Sequence, residues 1–187
     1  AMARNVAAKS PEELRALQDA GLTRLYIGPE SGDDVVLKRI AKGDTFAGHV
    51  SAAEKAHGAG MELSVIALLG IAMERSSQHA RATAELVTAM DPAFFSALTV
   101  TVVPGTPLAT LSERGSFKVP GVPDLLRELR EMVSLARPTS TLFRTNHASN
   151  YLPLGGTLPR DAERICATID AALAGRIPLR REAQRGL

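Results

Sequence analysis

Four short polar segments each follow an apolar stretch, and they hold the residue types that could do chemistry. They are GPESG (28–32), LGIAME (69–74), VVPGTPL (102–108) and RTNHASNY (144–151). In the first, the Glu30 carboxylate could accept hydrogen bonds from a pair of sugar hydroxyls, with Ser31 beside it. The alternative is that Ser31 or Asp33 caps the following helix and that Glu30 is merely solvated.

The second segment offers a glycine at the end of an apolar run. Without a side chain, Gly70 would let a flat ring lie against bare backbone. The alternative is an ordinary loop in which Ser76 or Ser77 caps the next helix, while Glu74 interacts with the positive end of that helix.

The last two segments differ in what they indicate. In VPGTPL, two prolines around Gly–Thr predict a rigid turn, so we interpret Thr106 as a turn residue. The final segment places Asn146, His147 and Asn150 within five positions of one another. These three side chains are candidates for substrate contact, and a hydrogen-bonded loop closure is the rival interpretation.

The apolar pattern predicts the elements that must position these segments. Helical stretches alternate with four apolar runs that we interpret as strands: LTRLYIG, MELSVIALLG, FFSALTVTVV and TSTLFRTN. Strict alternation of this kind predicts an α/β fold with a parallel sheet and flanking helices. Because MELSVIALLG is a nearly continuous apolar run, we expect it to form a parallel strand that is covered on both faces.

Helix signals are clear in several places. Ser10 and Glu13 form a capping-box pattern. VPDLLRELREMVSLA has leucines on one stripe with Arg and Glu on the opposite face. We expect His57, which lies on an apolar stripe, to be buried or at a boundary, and His49 and His79 to be exposed.

Composition bounds the function. The chain has 187 residues, of which 45% are hydrophobic and 22% charged, with a net charge of +2 that gives no argument for nucleic acid. No apolar run approaches the ~20 residues of a membrane span. With Cys166 alone, the chain can build neither a disulfide nor a cysteine-ligated metal site. We expect a cytoplasmic protein, with the arginine-rich end GRIPLRREAQRGL solvated.

Three consecutive segments resemble the later part of the barrel of radical S-adenosylmethionine (SAM) enzymes. YIGPESGDDVVLKRIAKGDT resembles their GIESGSDEVLKRIGKGHT type of segment, at the end of the fourth barrel strand. VIALLGIAMERSSQHARATAELV resembles the fifth strand, although Ile71 and Ala72 stand where Leu–Pro is usual. TVTVVPGTPL resembles the sixth strand. The resemblance covers Leu14 to Leu111.

The resemblance implies a cofactor site. Glu30 would reach the ribose hydroxyls of SAM, with Ser31 beside it, and the backbone around Ile66 to Gly70 would lie against the adenine. The implied chemistry is reductive cleavage of SAM to a 5′-deoxyadenosyl radical, which abstracts hydrogen from a substrate that the sequence does not identify.

The resemblance also implies the architecture. The implied fold is a partial (β/α) TIM-type barrel that comprises the later strands of a (β/α)6 core. The chain would be one domain, 1–187, with core-like βα units over 1–115 and a C-terminal βα extension over 116–187. We expect the uncovered sheet edge and apolar inner face of such a fragment to make it self-associate, or to be covered by its N-terminal helix.

The family's Cys-x-x-x-Cys-x-x-Cys, which holds a 4Fe–4S cluster, is absent from this chain. The resemblance therefore implies that the cluster ligands lie outside it and that the chain alone is inactive. Two alternatives stay open: a stand-alone α/β binding or scaffold domain without catalysis, and another (β/α) barrel enzyme such as an aldolase or a methyltransferase.

Overall fold

The computed structural model describes residues 1–185. Its strands are β1 (Arg24–Glu30), β2 (Glu62–Leu69), β3 (Phe94–Thr99), β4 (Thr141–Arg144) and β5 (Gly155–Leu158). Its α-helices are α1 (Ala3–Ala7), α2 (Pro11–Asp19), α3 (Asp34–Arg39), α4 (Phe46–Gly58), α5 (Ser76–Met90), α6 (Pro107–Glu113), α7 (Val122–Leu135) and α8 (Ala162–Leu173). Short 3₁₀ turns at Met73–Arg75 and Glu182–Gln184 complete the described elements.

The strands form one five-stranded sheet in chain order. β1 to β4 are parallel, which confirms the α/β fold class and the βα order. β5, which was not predicted, pairs antiparallel with β4, so the expectation of a wholly parallel sheet is wrong at this edge. The sequence pattern gives no clear signal for β5, because this strand is only four residues long and begins with two glycines, which have low strand propensity.

Local signals explain where the helices begin. In α2, Ser10 and Glu13 form the predicted capping box. Two short helices, α1 and α6, were not predicted. α6 follows the Pro-Gly-Thr-Pro turn directly, because the Thr106 hydroxyl accepts a hydrogen bond from the Ala109 amide, 3.2 Å away, and Pro107 suits the first helical position.

The sheet is covered by helices on one face. Along β2, Leu63, Val65, Ala67 and Leu69 are buried in the core that the sheet shares with the helices. The alternate residue Ile66 is only partly buried. On the same open face, Tyr26 of β1 is 58% exposed. The expectation that β2 is covered on both faces is therefore wrong, because apolar residues at alternate positions line an uncovered inner surface, as in part of a barrel.

The N-terminal helix does not cover this surface. α1 packs against α4, with Ala3 and Val6 buried in the core on the helix side. The N-terminal ammonium group of Ala1 donates to the Tyr26 carbonyl on β1. The inner face of the sheet stays open while the terminus lies against β1.

We expect the chain to self-associate through this open face. Tyr26→Lys places a charge on the open face at the edge strand β1 and should weaken association by about tenfold or more, since it replaces a large apolar contact. Multi-angle light scattering over a concentration series measures the effect. Leu135→Lys, at an exposed apolar position at the end of α7, is the control that should leave association unchanged. A wild-type chain that stays monomeric throughout the series would refute this expectation.

Candidate functional site

The polar segments meet at one edge of the sheet. Glu30 ends β1, Gly70 follows β2, and Asn146 follows β4. Pro104 stands in the loop between β3 and α6. Because β1 to β4 are parallel, their carboxyl ends lie at the same edge, where α/β proteins bind their ligands. The parallel order that the sequence predicts therefore brings the four segments to one edge of the sheet.

Glu30 is held in an unusual conformation. Its φ is +67°, which is rare for a residue with a side chain, and the β1–β2 register shifts between Ile27 and Glu30. Its carboxylate lies over the bare backbone of Gly28, where a Cβ atom would come within 2.7 Å of Oε1. Lys42 Nζ stands 2.9 Å from Oε1, and the Glu30 side chain is 22% exposed. Glu30 is therefore a positioned carboxylate and not a freely solvated one.

Ser31 stands beside Glu30 but faces the interior. It is fully buried, and its Oγ lies 2.8 Å from His79 Nδ1. The same oxygen accepts a hydrogen bond of 2.9 Å from the Asp33 amide. Asp33 in turn caps α3 by accepting from the Val35 amide. The Ser31 hydroxyl thus holds the turn together and is not accessible to a ligand.

Gly70 is also packed from one side. Its φ is +82°, and a Cβ atom would meet Leu125 Cδ2 at 2.7 Å and Pro120 Cδ at 3.1 Å. Its amide donates a 2.7 Å hydrogen bond to Glu128 Oε1. That side of Gly70 is closed to a flat ring. Ile66, on the open face and paired with Ser96, keeps accessible apolar surface.

The histidine expectations were wrong. His79 is fully buried and His49 is 1% exposed, whereas His57 is exposed. The α5 stripe of Ala80, Thr83 and Ala84 turns His79 inward. The sequence held a usable signal for this burial, because the small residues Ala80, Thr83 and Ala84 follow His79 by one, four and five positions and are buried with it.

Glu128 was assigned to the polar face of α7, and this was also wrong. It is 2% exposed and touches the start of α5, where Ser76 donates to its Oε2. α5 has no side-chain N-cap, so the alternative in which Ser76 or Ser77 caps this helix is wrong; the Ser76 hydroxyl instead donates to the Glu128 carboxyl. The signal was spacing, since Glu128 lies three residues after Leu125 and four before Met132.

Burial controls the charge of both groups. It lowers the pKa of His79 to about 4, and it raises the pKa of Glu128 to about 7. His79 Nε2 lies 3.6 Å from Glu128 Oε1. Because the imidazole is neutral near pH 7, this contact is not an ion pair. Ser31, His79 and Glu128 are all buried, so no substrate can reach them for nucleophilic chemistry.

After β4, the three candidates for substrate contact differ in exposure. Asn150 is 2% exposed; it accepts from Thr99 Oγ1 at 2.9 Å and donates to the Ala97 and Thr145 carbonyls at 2.8 and 3.0 Å. This is the loop closure that the sequence left open as a rival, so Asn150 does not serve as a substrate contact. Asn146 and His147 are exposed at the edge.

The arginine-rich end contributes to the same loop. Arg180 donates to the His147 carbonyl at 3.0 Å, and Arg185 donates to the Ser149 carbonyl at 2.9 Å. The Arg185 guanidinium also stacks on the Tyr151 ring, 3.8 Å from its centroid. The expectation of a simply solvated end is therefore wrong for these two arginines. Its last two residues, 186 and 187, lie outside the described part of the chain.

An apolar cavity of about 760 Å³ opens beside these segments. It lies between α3, the 71–74 loop and α6, with an apolar lining that includes Ile40, Ile71, Leu108 and Phe117. The ion pair of Arg39 and Glu74, 2.8 Å apart, stands at its margin.

The described residues do not fit an iron–sulfur cluster. Within 1–185, no group of three His, Cys, Asp or Glu side chains could hold a metal ion. Cys166, on α8, is buried and its Sγ lies 3.7 Å from the Arg130 carbonyl. None of the helices described is both long and apolar enough to cross a membrane.

Comparison with known proteins identifies the first part of the chain. Residues 3–80 match the family model of the radical SAM superfamily. The radical SAM resemblance is confirmed over this segment. The matched residues run from α1 into the first turns of α5, and they include Glu30, Ser31, Ile66 and Gly70. α7, which carries Glu128, lies outside them.

A structural comparison supports the same fold. The chain resembles the solved structure of the archaeal Methanocaldococcus infernus Elp3 with an N-terminal deletion (1–46), with a TM-score of 0.57 and 20% sequence identity. The match covers 67% of this chain and 30% of that structure. It shows a shared fold over that part of the chain and nothing about activity. A search of functionally curated proteins found no match.

The turn that carries Glu30 predicts a mutational effect. A Cβ atom on Gly32 would lie 2.1 Å from the Ala82 carbonyl oxygen on α5, so Gly32→Ala should destabilise the chain by about 1–3 kcal/mol through overpacking. In α4, Gly58 has nothing within 4 Å of such an atom, and Gly58→Ala should stabilise by up to about 1 kcal/mol. Urea unfolding compares the two; equal effects would contradict the packing argument.

The two buried titratable groups predict opposing pH effects. The pKa of His79 falls from 6.5 to about 4, so its contribution to stability is present above pH 6.5 and lost as the pH falls towards 4. The pKa of Glu128 rises from 4.5 to about 7, so its contribution is present below pH 4.5 and lost as the pH rises through 7. Between pH 4.5 and 6.5, His79 makes the free energy of unfolding rise with pH and Glu128 makes it fall. We therefore expect little net change in the free energy of unfolding over this range.

Substituting one group at a time should reveal how the other group changes the free energy of unfolding with pH. Glu128→Gln should leave the free energy of unfolding rising between pH 4.5 and 6.5, by up to about 1.4 kcal/mol per pH unit. His79→Gln should leave it falling over the same range. Asp33 and Glu131, the other carboxylates that act on this pair, are unchanged in both variants. Urea unfolding at the two pH values checks this, and slopes of the same sign in both variants would refute it.

Proposed function

We propose that the chain forms the later strands of the barrel of a cytoplasmic radical SAM enzyme and that Glu30 binds the ribose of SAM. The observation that carries this is the position of Glu30 within the matched segment. Its carboxylate is held at positive φ over bare backbone, at the carboxyl edge of the sheet, and it is still partly exposed. Strain of this kind concentrates at functional sites.

Two residues of the edge suit the nucleoside. The Glu30 carboxylate can accept hydrogen bonds from ribose hydroxyls, and charge-assisted bonds of this kind are the stronger ones. Ile66 presents apolar surface on the open face, where it can pack against an adenine. Lys42 keeps the carboxylate in place through Oε1. Ser31 and Gly70 contribute by shaping the backbone, since neither offers a free surface to the ligand.

The cluster and the substrate belong to the wider protein. SAM bound at a 4Fe–4S cluster supplies a radical that abstracts hydrogen, and the cluster ligands of this proposal lie outside the chain. Asn146 and His147 are exposed at the same edge and are our candidates on the substrate side. By itself the chain should be inactive.

A stand-alone scaffold domain remains the second candidate function. The observation in its favour is that Ser31, Gly70 and Asn150 all have internal partners, as residues of a purely structural loop would. In that case Glu30 would serve only as the partner of Lys42. The two functions differ in what happens when the Glu30 charge is removed.

Glu30→Gln should weaken SAM binding by the full-length protein by about 1.5–3 kcal/mol, the range for hydrogen bonds to charged groups. This corresponds to roughly ten- to a hundredfold in affinity. The melting temperature should change little, because glutamine keeps the same shape and an oxygen that can accept from Lys42. Equilibrium binding and thermal melting measured on the same samples check both statements.

Glu62→Gln is the matched control. Glu62 pairs with Arg24 at 2.7 Å at the opposite end of the sheet, so its loss should leave SAM affinity unchanged. Unaltered affinity in Glu30→Gln would favour the scaffold function. A large loss of stability in that variant would mean that Glu30 is structural.

A further inference from the structure

A buried chain of polar groups links the Glu30 turn to α7. We call Ser31, His79 and Glu128 the buried relay. Ser31 lies in the turn after β1, His79 on α5 and Glu128 on α7. Their contacts are 2.8 Å between Ser31 Oγ and His79 Nδ1, and 3.6 Å between His79 Nε2 and Glu128 Oε1.

One placement of the hydrogens is consistent with these contacts. Ser31 Oγ already accepts from the Asp33 amide, so its own hydrogen is available to His79 Nδ1. The neutral imidazole then carries its hydrogen on Nε2, which faces the Glu128 carboxyl. In this arrangement Ser31 donates to His79, while His79 Nε2 makes no hydrogen bond and only contacts Glu128 Oε1 at 3.6 Å.

Glu128 also holds the second exit of the sheet. Its Oε1 accepts from the Gly70 amide at 2.7 Å, and its Oε2 accepts from Ser76 at the start of α5. One carboxyl therefore hydrogen-bonds the end of β2 and the start of α5, and it packs against His79, which holds the turn after β1. No other charged side chain among residues 1–185 is as deeply buried.

Such a group is a poor choice for stability alone. A buried carboxyl costs desolvation free energy, and well-packed apolar residues of similar volume are often as stable or more so. What the apolar residue cannot do is accept the Gly70 amide or orient His79. We therefore interpret Glu128 as a residue that fixes the positions of the backbone and side-chain groups around it.

We propose that Glu128 is a positioning residue for the nucleoside edge: through Gly70 and His79 it fixes the turn that presents Glu30. This inference rests on the proposed function for its consequence in SAM binding, but not for its structural content. It gives α7, outside the matched residues 3–80, a part in the site.

The structural content is tested by Glu128→Met in the whole chain. Amide hydrogen exchange by NMR should accelerate about tenfold or more at Gly70 and Asp33, relative to the Val65 amide in the middle of β2. The ¹⁵N signals of the His79 ring should change from one tautomer to a mixture. Glu128→Gln, which keeps an acceptor for Gly70, should restore most of both readouts.

Glu131→Met is the matched control on the same helix. Glu131 pairs with Arg81 at 2.6 Å and lies nearer the solvent, so its loss should leave Gly70 and Asp33 unaffected. If Glu128→Met accelerates all core amides equally, Glu128 is only a stability residue and the proposal is wrong. Unchanged exchange at Gly70 and Asp33 overturns it as well.

SAM binding by the full-length protein separates this inference from the proposed function. If both hold, Glu128→Met and Glu30→Gln should each weaken binding, by about tenfold or more. If Glu30→Gln has no effect, the proposed function fails, and the NMR result alone decides whether Glu128 positions the turn. If Glu30→Gln weakens binding and Glu128→Met does not, the positioning role fails while the proposed function stands.

Discussion

The hydrogen bond between Ser31 and His79 is the interaction on which the candidate site depends. It is fully buried, and it brings the turn after β1 against α5 so closely that Gly32 has no room for a side chain. The turn is held further by the Gly32 amide, which donates to Thr83 Oγ1 at 2.9 Å. These two hydrogen bonds fix the backbone that follows Glu30. Glu30 itself has a positive φ, and its carboxylate lies over Gly28.

The one-sided sheet explains why this edge can serve a ligand. Helices bury the residues that alternate with Ile66, while Ile66 and Tyr26 face an open inner surface. At the carboxyl edge, the polar loops that follow the strands therefore lie next to the apolar side chains of the open face. A nucleoside needs both, because its ribose is polar and its base is flat and largely apolar. A sheet with helices on both faces would leave no such surface.

The buried relay shows how distant segments combine in one site. The matched segment supplies Glu30, Ser31 and His79, but the carboxyl that packs against His79 and accepts from the Gly70 amide comes from α7. His79 and Glu128 both titrate abnormally because burial opposes charge on each of them. Because the imidazole is neutral near pH 7, the contact between His79 and Glu128 is not an ion pair, and its role is to pack the two side chains together.

The sequence by itself determined the α/β class, the parallel βα order through β4, the capping box at Ser10 and the edge position of Glu30, because these follow from local periodicity, capping chemistry and chain order. Only the tertiary structure decided which polar residues are buried. Local spacing places His79 and Glu128 beside apolar stripes, but the partners that hold them lie about 50 residues away along the chain, and only the tertiary structure identifies those partners. The same holds for β5, whose glycine-rich strand forms only because β4 offers a free edge, and for Gly70, whose packing against Leu125 becomes visible once α7 lies against β2.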